Sequence, residues 1–321
     1  MHNILLVGAG QLGSRHLQGA VKSGLPLNIT VIDPSTESLS LAKERLEEVE
    51  IGNPKTTISF SEQISEGMAC EICIIATTAN YRFDVFMEVI QKTNVKKFIL
   101  EKVLFQKESE YFIVEEKLNY YGIKAWVNCP RRMFPFYKHL KSLINKNEQI
   151  SLTVDGSNWG MACNTIHFID LFSFLTESFK IKNFSTSLVN ELEHSKREDF
   201  YEVFGQTEYI DDQNNRLKIS CNKRDEVEVS IHFKTSSLEF LLCESTQTIN
   251  IIKNNGALNK DFEPQFQSSL TYLNIEEILN NNNCSLTPYS ESKDMHLSFL
   301  PILKQHFEQL MGKNLSHCPI T

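Results

Sequence analysis

The sequence contains no apolar run near the roughly 20 residues that a bilayer-spanning helix requires, which excludes a membrane span. It also lacks a basic excess. Its 32 Lys and Arg against 40 Asp and Glu give a formal charge of -8 and a pI near 5.7. No basic face emerges to neutralise phosphates, so a nucleic-acid partner is excluded and small molecules or copies of the same chain are expected. The eight cysteines follow no disulfide framework, and no signal peptide precedes the first apolar strand, Ile4 to Val7. Both features point to a reducing, cytoplasmic setting. Cys70 and Cys73 have C-x-x-C spacing, but they lie in the apolar run CEICIIA, where residues three apart face opposite sides of a strand. No metal or redox site is read there, and none is expected elsewhere.

What is present is enough chain, 321 residues, for two domains that each bury a core without staples. Residues 1–128 alternate β-rich runs (Asn3 to Val7, Asn28 to Ile32, Thr57 to Phe60, Cys70 to Ala76, Lys97 to Glu101, Lys124 to Asn128) with amphipathic stretches such as LAKERLEEVE and RFDVFMEVIQK. This order predicts a doubly wound, parallel Rossmann sheet. Residues 129–321 read as an α+β substrate-binding and oligomerisation domain. Ile150 to Val154, Arg216 to Cys221, Val227 to Lys234, Leu238 to Cys243 and Thr248 to Lys253 form a largely antiparallel open sheet. A helix from Asn164 to Leu175 interrupts it, Asn280 to Asn283 is a surface loop or helix end, and a helix from Leu297 to Met311 closes the chain. One face of such a sheet would present an apolar patch unless paired, so a homodimer or homotetramer is expected.

The motif GAGQLG runs from Gly8 to Gly13, directly after the first strand and into a helix. Gly8 allows a tight turn, Gly10 lets backbone amides approach a diphosphate, and Gly13 lets the helix pack closely on the strand. Gln11 and Leu12 begin the helix whose positive end faces the phosphates. Asp33 stands 20 positions beyond Gly13, at the end of the second strand, where an acid binds ribose hydroxyls. It would repel a 2′-phosphate, and no Arg follows in DPSTES, so NAD is expected over NADP. The alternative is a glycine turn in another kind of doubly wound protein, with Asp33 capping the turn at Pro34.

Further landmarks follow in order: ATTAN after the fourth strand, EKVL after the fifth, NCPRRMFP after the sixth, and a helix carrying HFID. With GAGQLGSRH they give a chain that resembles the Gfo/Idh/MocA oxidoreductases, the glucose-fructose oxidoreductase and inositol dehydrogenase family, over essentially its whole length. The resemblance implies that Thr77, Asn80 and Glu101 lie at the cofactor. It also implies that Lys102 lies beside the nicotinamide to polarise the reacting oxygen, and that His167 stands on the substrate helix. Val103 replaces the proline that usually follows the lysine, Ala79 another proline, Phe83 a frequent His, and Cys163 an Asp four residues before His167. Arg132 and Asp170 are retained.

Hydride transfer at an alcohol carbon needs a group that exchanges the hydroxyl proton near working pH. Lys102 and His167 are the candidate catalytic pair, since an oxidised nicotinamide and a closed cleft would draw a lysine's pKa down. Read without the resemblance, Lys102 is a solvated strand-end residue, His167 a core histidine, and Asp170 a hydrogen-bond acceptor within its domain. Cysteine at position 163 neither orients nor deprotonates a hydroxyl well. Either Lys102 with His167 suffices, or a residue from the other sheet substitutes, or the protein binds without turnover. Arg131 and Arg132 suit a phosphate or carboxylate, or a solvated helix start. Asn158, Trp159 and Asn164 offer hydrogen bonds and a stacking face for a sugar. Phe168, Phe172 and Phe174 read as core. In the family such substrates are sugar nucleotides or polyols, often in bacterial surface-polysaccharide metabolism. A non-catalytic NAD-binding regulator or scaffold, and an imine or amino-acid reductase on the same fold, are the competing readings.

Overall fold

The computed structural model describes residues 1–145, 147–197, 199–223, 227–254, 256, 258 and 261–321. The chain divides into two compact units. One holds Met1–Phe105, Ser109–Pro130 and Gln265–Ser290; the other holds Gln106–Glu108, Arg131–Pro264 and Glu291–Thr321. A single cut after residue 128 does not contain the return of 265–290 to the first unit.

In that unit β1 (His2–Val7), α1 (Gln11–Ala20), β2 (Leu27–Ile32), α2 (Thr36–Leu46), β3 (Thr57–Ser61), β4 (Met68–Cys70), β5 (Ile72–Ile75), α3 (Ala79–Lys92), β6 (Thr93–Val95), β7 (Lys97–Leu100), α4 (Glu108–Tyr121) and β8 (Lys124–Val127) follow one another. The order β3-β2-β1-β5-β7-β8 is parallel throughout. Its central strands are apolar without alternation because both faces are buried; Ile72–Ile75 is buried at every position. Ser35 starts α2 by accepting a hydrogen bond from the Ser38 amide at 3.2 Å, as a helix N-cap does.

The strand expected from Cys70 to Ala76 is two pieces. Glu71 breaks it, its carboxylate accepting from the Asn3 amide (3.0 Å) and bonding the His2 ring (3.1 Å). Cys70 ends β4 in a separate ladder with β6, while Cys73 sits in the main sheet. Burial pushes the Cys70 thiol up to about 12 and holds Cys73 well above the ordinary thiol range, so neither is a ready thiolate.

The second unit contains α5 (Pro135–Leu143), β9 (Ser151–Ser157), α6 (Met161–Thr176), β10 (Lys182–Leu188), β11 (Glu193–His194), β12 (Tyr201–Glu202), β13 (Gly205–Ile210), β14 (Arg216–Asn222), β15 (Ser230–Lys234), β16 (Glu239–Cys243) and β17 (Thr248–Lys253). Its main sheet has the order β10-β13-β14-β9-β15-β16-β17. The central pair β9 and β14 is parallel, not antiparallel; α6 and four further strands separate the two in sequence, long enough for a crossover. Strands β10 and β13, which join the sheet beyond β14, are too polar (KNFSTSL, GQTEYI) to announce themselves as strands, and β15 starts at Ser230 rather than Val227.

Leu152, Val154, Leu217, Ile219, Ile231, Phe233, Phe240 and Leu242 line one buried face, and α6 packs against β14. The opposite face carries Thr153, Asp155, Lys218, Ser220, His232 and Glu239. It is mostly polar, although Leu241 is exposed on the same face.

The chain then forms α7 (Thr271–Asn281) and β18 (Thr287–Pro288), which adds antiparallel to β8 at the edge of the first sheet. Asn282, at φ 54°, ends α7 within the Asn-rich stretch. The expected closing helix is two: α8 (Tyr289–Leu297) and α9 (Leu300–Met311), parted at Ser298 and Phe299 with Pro301 in the first turn of the second. Among the described residues no helix is long and apolar enough to cross a membrane.

Candidate functional site

The strand order of the first sheet reverses direction between β1 and β5, since β2 and β3 lie on one side and β7 and β8 on the other. Ligands of open α/β sheets bind in the crevice outside the carboxyl ends of the strands at such a point. Gly8 to Gly13 follow β1 there and Thr77 follows β5; Asp33, Glu101 and Lys102 follow β2 and β7.

Gly8 has φ 96°, and a Cβ on it would stand 2.9 Å from the Ala76 carbonyl carbon and the Thr77 nitrogen. A Cβ on Gly13 would collide with the Gly8 carbonyl, whereas one on Gly10 would meet nothing within 4 Å. Two of the glycines are therefore demanded by the protein itself, and the third faces open space. The first turn of α1, with Gln11 and Leu12, has no side-chain cap, so its amides point outward as an anion-binding end. Asp33 accepts from the Ala9 amide (2.7 Å, Oδ2) and the Ser35 amide (2.9 Å, Oδ1), which fixes the carboxylate against the turn. The Thr77 hydroxyl oxygen is buried with no hydrogen-bond partner among the described residues. An uncapped helix start, an open Gly10 face and an orphaned buried hydroxyl fit a dinucleotide. Asn80 is exposed and accepts from Thr78 Oγ1 at 2.6 Å.

Glu101 is 2% exposed. Its Oε1 takes a hydrogen bond from His16 Nε2 (2.8 Å) and one from Asn128 Nδ2, and its Oε2 accepts from the Lys102 amide at 3.3 Å. Burial pushes the Glu101 pKa upward, but the His16 contact, with Asn128 and the Arg82 charge, outweighs it and holds the carboxyl below its ordinary value. His16 Nδ1 meets Thr271 Oγ1 at 3.0 Å, and Gln267 bridges Thr271 (2.9 Å) and Asn128 (2.7 Å). The segment after Lys102 is held by Arg82, which donates to the carbonyls of Val103, Leu104 (3.0 Å) and Thr77. The Lys102–Val103 peptide is cis. Lys102 is half-buried. His16, Arg82, Gln267 and Thr271 carried no role in the sequence reading; only His16 lies within a motif, GAGQLGSRH.

The substrate candidates lie on the second unit. Cys163 and His167, four residues apart, share one face of α6, and both are half-buried. The Cys163 thiol donates to Glu202 Oε1 at 2.8 Å, and the Ala162 amide donates to Glu202 Oε2 at 2.8 Å. Asn164 spends its amide group on the carbonyls of Trp159 (2.9 Å) and Gly160 (3.1 Å), shaping the turn into α6. Trp159 donates its indole N–H to the Ser220 carbonyl and meets Phe168 edge-on. Asn158 is exposed at φ 54°.

Both arginines already have carboxylates. Arg131 grips Glu244 through Nε (3.1 Å to each oxygen) and Nη2 (2.7 Å), and Tyr137 donates to the same carboxylate. Arg132 pairs with buried Asp170 at 3.0 Å. Burial raises the pKa of nearby Glu291, where the Arg132 charge opposes the rise and Asp170 adds to it. Glu244→Ala should cost about 1–3 kcal/mol, because two donors lose one charged acceptor; urea unfolding monitored by near-UV absorbance will measure it.

No family model and no curated protein sequence matches this chain. Solved structures do. The WlbA dehydrogenase from Bordetella pertussis, in complex with NADH and UDP-GlcNAcA, superposes at TM-score 0.73 with 15% identity over 96% of each chain. UDP-N-acetylglucosamine 3-dehydrogenase GnnA from Acidithiobacillus ferrooxidans gives 0.71 at 13% identity, over 97% of this chain and 99% of that one. The super-repressor mutant of Gal80p from Saccharomyces cerevisiae gives 0.69 at 12%, over 98% of each. At such identities the likeness carries the fold: the chain has the two-part fold of the Gfo/Idh/MocA-type oxidoreductases.

Proposed function

We propose that this protein is an NAD(H)-dependent oxidoreductase acting on a hydroxyl or keto carbon of a sugar nucleotide or polyol. The observation that carries the reading is the glycine turn at the β1/β5 switch point, with its open Gly10 face, uncapped α1 and orphaned Thr77 hydroxyl. A bound nicotinamide supplies the hydride acceptor or donor. Gly8, Gly10, Gln11, Leu12 and Gly13 hold its diphosphate, Asp33 the adenosine ribose, and Thr77 and Asn80 the nicotinamide side. Lys102 exchanges the proton at the reacting oxygen, and His167 hydrogen-bonds a substrate hydroxyl. Sugar nucleotides are favoured because dehydrogenases of this fold are named for them or were crystallised with them.

NAD is favoured over NADP because Asp33 presents a carboxylate where a 2′-phosphate would sit. The nearest arginine along α2, Arg45, is committed to the Gln11 carbonyl (2.9 Å) and Ser14 Oγ (2.6 Å). Asp33→Ala should weaken NAD binding about 10-fold by loss of charged hydrogen bonds while NADP affinity stays level or rises; calorimetry with both cofactors reads the ratio. The function itself is tested by incubating the protein and NAD with UDP-sugars and polyols and following absorbance at the NADH band. NADH formation with at least one compound is expected. Tight NAD binding with no product from any of them would favour the second reading, a cofactor-binding regulator. That reading draws on one observation, the carboxylates already matched to Arg131 and Arg132.

A further inference from the structure

We infer that the polar face of the second unit's main sheet carries a separate ligand site, one that takes a small zwitterion of the α-amino-acid class between Lys218 and Asp155. A pocket of about 490 Å³ opens on that face, within the size range of small-molecule sites. Asp155 of β9, Lys218 and Ser220 of β14 and Gln206 of β13 line it, with Leu188 and Val189 toward the β10 side. Helix α6, which bears Cys163 and His167, packs on β14 from the buried face instead. The pocket approaches that helix only at its Asn222 end, where the Asn222 carbonyl accepts from the Asn158 amide at 3.1 Å.

Side chains alternate along a strand. Leu152, Val154, Leu217 and Ile219 take the buried face, which leaves Asp155 and Lys218 together on the other. Strands β9 and β14 run parallel, with Asp155 opposite Ser220 and Lys218 opposite Thr153. The two charged residues are therefore diagonal neighbours, their Cα atoms about 8 Å apart by strand spacing and rise. Both are half-buried, yet they form no ion pair with each other. Among the described residues Lys218 has no hydrogen bond or ion pair at all, and Asp155 meets no cation; its Oδ1 accepts from the Ser220 hydroxyl.

A cation and an anion thus share one pocket without neutralising each other, and a ligand that carries both charges in the opposite order matches the two at once. Its carboxylate goes to the Lys218 ammonium, which has three donors, and its ammonium to Asp155 Oδ2, which makes no hydrogen bond among the described residues. Glu208 stands opposite Lys218 on the other flank and accepts from Gln206 Nε2 at 2.8 Å. That further negative charge sets the local field against phosphates and dicarboxylates. Leu188 and Val189, the latter 47% exposed, give the carbon portion of the ligand an apolar margin.

The test is calorimetric titration of the whole protein with the twenty common amino acids, followed by the N-acetyl and carboxamide forms of each binder. At least one amino acid should bind, and each derivative should bind at least about 10-fold more weakly, because it leaves one protein charge unmatched. Lys218→Gln and Asp155→Asn should each weaken the parent by about 10- to 100-fold and unfold within a few degrees of wild type. Lys218→Gln should also cease to distinguish the acid from its carboxamide, which a merely structural role for the lysine would not produce. Asp33→Ala and His167→Ala should bind the amino acid as wild type does. Absence of binding by all twenty, binding that survives both pocket substitutions, or binding lost in His167→Ala overturns the inference. Tighter binding of inorganic phosphate or citrate that Lys218→Gln abolishes overturns the zwitterion as its ligand. No arm uses NAD or a sugar nucleotide, so failure here leaves the proposed function untouched.

Discussion

Lys102→Ala is expected to reduce turnover by about 10^2- to 10^4-fold, the range a positioned proton-exchanging group contributes, while NAD affinity changes little. The lysine follows β7, two strands along the sheet from β1 and its glycine turn, and the network around Glu101 and Arg82 fixes the backbone on both sides of it. Lys102→Arg should be almost as impaired as alanine. A guanidinium keeps the charge but does not surrender its proton near neutral pH. Single-turnover measurements with saturating cofactor separate this loss from binding. An alanine variant with wild-type turnover would leave the proton to another group and demote Lys102 to an ornament of the strand end. Loss of kcat in both variants, with the dissociation constant of NAD unmoved, places the defect at the reacting oxygen.

How much of this was legible in the sequence follows from the range of the forces involved. Gly8 and Gly13 could be read because their necessity is local: one turn needs φ 96°, and one helix start admits no Cβ. The central strands could be read because a sheet buried on both faces demands unbroken apolar runs. The parallel pairing of β9 with β14 was hidden, since alternation reports burial of a face and says nothing of strand direction. Strands β10 and β13 were hidden by polar sequences that take their order from neighbours in the ladder.

The adjacent arginines at 131 and 132 read as an anion site because their carboxylates, Glu244 and Asp170, lie far off in sequence. Glu202, whose carboxylate meets Cys163 and the Ala162 amide, was invisible for the same reason. His16 stands in a motif, yet its partner Thr271 is 255 residues away, and nothing near either residue announces the other.

That long-range pair makes the second large prediction. His16→Ala should destabilise the protein by about 3–5 kcal/mol, because it strips the partner from a carboxylate that stays buried. Glu101→Ala should cost less, since it removes the charge with the contact. The order His16→Ala worse than Glu101→Ala distinguishes a buried charge left alone from a simple loss of packing, and urea midpoints of the two variants decide it. Acid adds a second readout. The Glu101 pKa is lower folded than unfolded, so the folded state releases this proton more readily, and the stability it contributes is fully present above the ordinary glutamate pKa of about 4.3. That contribution fades as pH falls below this value toward the depressed folded pKa. Wild type should therefore lose stability between neutral pH and pH 3 more steeply than Glu101→Ala, which has no such carboxylate to protonate. Parallel acid limbs in the two proteins would show that His16 and Asn128 contact Glu101 without holding its charge.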